Sequence, residues 1–137
     1  MDPFLVFVVL VILAAFAARF AMDMRMKRKV GLPVPDVSAV TTRQLGPDER
    51  ALYYFYGPHC RACKPMTPIV KAESEKHDNV FAVDISEHPK LASDFGLAVT
   101  PTVIVVENGR VSEIRVGTLS QARLQQLLNK AQEKITR

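Results

Sequence analysis

The chain has 137 residues, room for one domain and an appendage, and much of its 48% hydrophobic content falls in the first twenty positions. Its net charge of +4 is equally local, because five of the eighteen Lys and Arg residues precede Val30 together with only two of the fourteen carboxylates. The basic balance therefore marks a short patch and is no sign of a nucleic-acid partner, and two cysteines exclude a disulfide-stapled scaffold.

Residues 3–22 read Pro-Phe-Leu-Val-Phe-Val-Val-Leu-Val-Ile-Leu-Ala-Ala-Phe-Ala-Ala-Arg-Phe-Ala-Met, with no charge before Arg19. As a helix, about twenty such residues rise ~30 Å and cross a hydrocarbon core, with Arg19 close enough to the end to reach the headgroups. A cleaved signal peptide competes with this reading, but it needs a basic leading region, and here Asp2 precedes the apolar run with no Lys or Arg. The expectation is a transmembrane anchor over residues 1–22 in contact with the lipid bilayer. Arg25, Lys27, Arg28 and Lys29 follow it. The positive-inside rule then places the remainder in the cytoplasm, as a single-pass protein of a bacterial inner membrane, with the periplasmic side as the alternative.

Residues 23–36 form the basic juxtamembrane segment and a stiff linker carrying Pro33 and Pro35. Residues 37–137 are the expected soluble domain. Val37 to Thr41 reads as a short first strand. Leu52 to Tyr56 is a continuous apolar and aromatic run, which suits a buried strand. A helix is expected from Pro65 to His77, with Pro68 kinking it. Val80 to Val83 reads as a strand, and Ser86 to Phe95 as a short helix opened by Pro89 and ended by Gly96. Thr102–Val106 and Val111–Val116 flank Asn108-Gly109, a strong hairpin signal because that pair supplies two positive φ angles. A last helix, capped by Ser120, puts Leu124, Leu127, Leu128, Ala131 and Ile135 on one face. Strand, helix, strand, helix, hairpin, helix predicts an α/β fold, a mixed sheet covered by helices on both faces.

The only cysteines, Cys60 and Cys63, stand two residues apart at the turn from the first strong strand into a helix. Unpaired N–H groups at a helix start stabilise a thiolate and lower its pKa. Cys60 is thus the expected nucleophile, and Cys63, one turn on, the resolving thiol that forms a disulfide with it. Arg61 adds a fixed cation beside the thiolate. His59 is a candidate proton relay, since imidazole changes charge near neutrality. A metal site would need partners from His59, His77 or His88, none of which stands in a second C-x-x-C or an H-x-x-x-H, so none is expected. Lys64, directly after the second cysteine, rules out haem attachment.

From Leu52 onward the chain resembles a thioredoxin. The resemblance rests on Cys60-Arg61-Ala62-Cys63-Lys64, on Pro68, on Phe95-Gly96-Leu97-Ala98-Val99-Thr100-Pro101-Thr102, on Asn108-Gly109, and on Val116-Gly117-Thr118-Leu119-Ser120. It implies a thioredoxin-like fold, no cofactor beyond the Cys60–Cys63 disulfide, a cis bond at Pro101, and an open backbone edge at Thr100 for an extended substrate segment. It also implies protein disulfides as substrates and a thioredoxin reductase or glutathione system as reductant.

The departures are specific. The family's Trp before the first cysteine is His59 here, its Gly-Pro between the cysteines is Arg61-Ala62, and the chain has no Trp. Its buried Asp, six residues before the first cysteine, is Tyr54, and the lysine that partners it is Ala82. The expected activity is membrane-anchored thiol–disulfide exchange, with net reduction if the domain is cytoplasmic. Two alternatives remain: a non-catalytic module using this fold to hold a membrane partner, and a thiol pair handling copper.

Overall fold

The computed structural model describes residues 1–135; Thr136 and Arg137, the end of the expected domain span, lie outside the described residues. Helix α1 runs from Pro3 to Lys27 and is long and apolar enough to cross a membrane. It is followed by β1 (Arg50–Tyr56), a 3-10 turn (Arg61–Cys63), α2 (Thr67–Lys76), β2 (Val80–Asp84), α3 (Pro89–Asp94), β3 (Thr102–Glu107), β4 (Arg110–Val116) and α4 (Gln121–Gln132).

The sheet has the order β2-β1-β3-β4, with β1 parallel to β2 and antiparallel to β3. β1 sits inside it, and from Ala51 to Tyr56 it is apolar or aromatic because both of its faces are covered. Leu52 and Tyr54 point into a core closed by Met66, by Val70 of α2, and by Leu124 and Leu128 of α4. Ala51, Tyr53 and Phe55 point the other way, into a core closed by Leu91 and Phe95, with Val34, Val37, Val40 and Leu45 packed on it. The mixed sheet with helices on both faces is as the sequence predicts.

Four local expectations change. The helix expected from Ser86 begins at Pro89, because Ser86 is held in a turn by its bonds to the Asp84 carboxylate. Val37 to Thr41 is a turn, in which the N–H groups of Val40 and Thr41 both donate to the Val37 carbonyl. Its valines are apolar because they roof the second core, which explains why their spacing imitates a strand. The helix expected from Pro65 begins at Thr67. Pro65 and Pro68 lack the N–H groups that would reach the Arg61 and Lys64 carbonyls, so no α-helical ladder can start earlier. Pro68 accordingly lies in the first turn of α2 and bends no helix interior. The last helix stops at Gln132; Ile135 lies beyond it and donates its N–H to the Asp48 carbonyl at 3.0 Å.

The hairpin forms as expected, with Asn108 at φ 54° and Gly109 at φ 71°. The segment after α1 is docked along β4. Gly31 N–H donates to the Val111 carbonyl, Val111 N–H to the Leu32 carbonyl, and Val34 N–H to the Gly109 carbonyl. This covers an edge that would otherwise offer free pairing groups.

Candidate active site

The redox turn hangs between the end of β1 and the start of α2. Cys60 and Cys63 are joined as a disulfide with their Cα atoms 5.3 Å apart. The two sulfur-bearing residues are unlike: Cys63 is 2% exposed, whereas Cys60 is only partly buried. Cys63 N–H donates to the Cys60 carbonyl and Lys64 N–H to the Arg61 carbonyl, which winds the turn as 3-10. The helical start at Cys60 is therefore this single turn, four residues short of α2.

A hydroxyl pair holds the turn from beneath. The Cys63 carbonyl lies 3.1 Å from the Tyr54 hydroxyl and 2.9 Å from the Thr67 hydroxyl, and the two hydroxyls are 2.8 Å apart. Burial raises the pKa of Tyr54, against a smaller lowering from the Thr67 bond, so its phenol stays protonated. In the sheet register Tyr54 stands directly beside Ala82. The two positions where the chain departs from the family's Asp and Lys are thus neighbours in space. A satisfied neutral phenol needs no cation across the strand, which accounts for both changes together.

The other walls come from distant segments. The Thr100–Pro101 bond is cis. A Cβ built on Gly57 would lie 3.7 Å from the Cys60 Cβ and 3.8 Å from the Thr100 hydroxyl, so Thr100 borders the redox turn. Gly117 N–H donates to the Pro101 carbonyl at 2.9 Å, and the Thr118 hydroxyl donates to the Ala62 carbonyl at 2.9 Å. Cys60, Cys63, Thr100 and Pro101 are brought together. His59 and Arg61 are exposed on the rim, and among the described residues neither side chain makes a hydrogen bond or ion pair. Sequence reasoning missed Thr67 and Thr118. The Thr118 partner is a carbonyl 56 residues away that only the fold brings near, whereas Thr67 bonds the carbonyl four residues before it, a local spacing that a Thr after the second cysteine could have signalled.

The thioredoxin family model matches residues 39–130. This chain belongs to the thioredoxin family. It is 32% identical over 79 residues to a thioredoxin of Bacillus subtilis, covering 56% of this chain and 76% of that protein. It is 28% identical over 89 residues to thioredoxin 1 of a Nostoc species, covering 63% and 83%. Among solved structures it is similar to a mutant thioredoxin from Halobacterium salinarum, at TM-score 0.54 and 28% identity, covering 65% of this chain and 80% of the other. A thioredoxin of Nicotiana alata is also similar, at TM-score 0.53 and 28% identity, covering 66% and 77%. The thioredoxin-family domain carries its C-x-x-C as a disulfide, and its activity is that of a thiol–disulfide oxidoreductase.

Proposed function

We propose that α1 anchors the chain in a bacterial inner membrane and that its thioredoxin-family domain reduces disulfides of partner proteins on the cytoplasmic side. The observation that carries the direction of attack is the unequal burial of Cys60 and Cys63. In the dithiol form the Cys60 thiolate attacks one sulfur of the partner disulfide, expelling the other as a thiolate and forming a mixed disulfide. Cys63, deprotonated in turn, attacks the Cys60 sulfur. The partner leaves with both sulfurs reduced, and the chain keeps the disulfide; two electrons and two protons have moved. A thioredoxin reductase or a glutathione system restores the dithiol.

Arg61 supports the thiolate by its fixed charge, and His59, beside Cys60, serves as proton relay in place of the family's carboxylate. The backbone at Thr100, before the cis Pro101, receives the partner's extended segment as an added strand.

Insulin reduction by the reduced full chain tests the chemistry. Wild type should turn over, Cys60→Ser should lose activity, and Cys63→Ser should accumulate a mixed disulfide with the substrate. Stoichiometric Cu(I) binding without any reductase activity would instead favour metal handling, and neither activity would favour a holding module. The reduction potential tests direction: a value near about −270 mV fits a cytoplasmic reductase, and one near about −120 mV an oxidant outside the membrane. Alkaline phosphatase and fluorescent-protein fusions at the C-terminus test the side, and an active phosphatase would overturn the cytoplasmic placement.

A further inference from the structure

Helix α1 is not on a loose tether. Met26, near its end, is 2% exposed. The Lys29 ammonium donates to the carbonyls of Phe95 and Gly96 at the end of α3. Gly31 to Val34 then pairs along β4, and the Arg110 guanidinium donates to the Gly31 carbonyl at 2.9 Å. Three attachments within about ten residues set the angle between the anchor and the domain, where a free Gly/Ser-type linker would leave it open.

That angle brings the end of α1 against the Val99–Thr100 segment that precedes the cis Pro101. Phe16, Arg19, Phe20 and Asp23 form one wall of a cleft of about 570 Å³, and Val99 and Thr100 help form the other. Four of the five α1 residues that line it recur at i, i+3, i+4 and i+7, which is one face of a helix, with Met22 at its margin. They climb about 10 Å along the axis, from ring side chains at membrane depth to charges at the headgroup level. Phe16 and Phe20 remain 69% and 68% exposed. Among the described residues, the backbone N–H and C=O of Thr100 take no hydrogen-bond partner. Thr100 lies beside Gly57, on whose other side Cys60 sits, so Thr100 stands between this cleft and the separate groove that Gly57, Cys60 and Cys63 line.

We propose that this cleft receives an extended juxtamembrane segment of another membrane protein, and that the chain selects disulfides lying at the bilayer surface. The inference rests on the anchored oxidoreductase reading above and names the partner class of that same site. The unpaired backbone at Thr100 fits an added strand. The Phe16 and Phe20 rings fit apolar residues at the end of a span, and Arg19 and Asp23 fit the polar residues just beyond it.

The test uses the pre-reduced full chain in vesicles of phosphatidylethanolamine and phosphatidylglycerol, in single turnover. One probe is a single-span Leu/Ala peptide with a cystine loop directly after the span; the second carries the same loop beyond a flexible spacer of roughly twenty Gly/Ser residues. The near loop should be reduced about tenfold faster or more, because the cleft raises its effective concentration at Cys60. Inserting roughly six Gly/Ser residues after Arg28 should bring the ratio of the two rates towards one. Equal rates in the uninserted chain, as expected if lipid or a second copy fills the cleft, would overturn the inference while leaving the oxidoreductase reading intact. Failure to reduce either probe and insulin alike would overturn both.

Discussion

The Tyr54 hydroxyl lies 3.1 Å from the Cys63 carbonyl oxygen and so joins the central strand to the redox turn. Tyr54 is fully buried, and its phenol is shared with Thr67 at 2.8 Å. Where a carboxylate would bring a buried charge needing a partner, this chain has a neutral group that is satisfied as it stands.

Tyr54→Phe removes that hydroxyl and leaves the ring. It should cost about 1 kcal/mol, the usual worth of one hydrogen bond, read as a lowered urea midpoint at unchanged slope. Thr67→Val added to it should be less than additive, because the two hydroxyls share one acceptor. Full additivity in that cycle would show that they do not act as a unit.

Tyr53 makes a separate prediction at alkaline pH. Burial pushes its pKa up from 10.0 to about 12. Below pH 10 the phenol is protonated in both states, so the full stability is present. Above it the unfolded chain loses the proton while the folded chain keeps it, so stability falls as pH rises towards about 12. Tyr53→Phe should flatten this decline in denaturant titrations at stepped pH, and an unchanged decline would assign it to other groups.

His59→Ala should change the pH dependence of thiol exchange, because the imidazole stands directly before the attacking Cys60. The side chain is exposed, so stability should barely move. A profile identical to wild type would remove His59 from proton transfer and leave that task to solvent.

Leu124 is fully buried in the core between α4 and the sheet. Leu124→Ala should cost about 3 kcal/mol, from lost burial and the cavity left behind. Thermal unfolding of the variant beside Ser120→Ala, which loses the 3.2 Å cap on the Arg123 N–H and should cost about 1 kcal/mol, would rank the two. An equal cost would mean that the core collapses around the smaller residue.

Several elements could be read from neighbouring residues alone. Leu52 to Tyr56 announces a strand covered on both faces, Asn108-Gly109 a tight hairpin, and Ser120 a helix start, because each depends on local dihedral preference or periodicity. Cys60 and Cys63 are legible for the same reason, since the spacing itself carries the chemistry. Val37 to Thr41 misled because burial under a neighbouring layer makes a turn as apolar as a strand. Two prolines delayed α2 by withholding N–H groups from its first ladder bonds, an effect written at Pro65 and Pro68 themselves.

The class of fold, the redox pair and an apolar helix long enough for a membrane all follow from short-range pattern in the chain. Tertiary structure alone decided that Tyr54 and Thr67 meet at the Cys63 carbonyl, that Thr118 holds Ala62, and that Lys29 reaches the end of α3. Apart from the Thr67 bond, which spans only four residues, those contacts join separate segments of the chain and end on backbone carbonyls, which every residue type carries, so no side-chain pattern could foretell them.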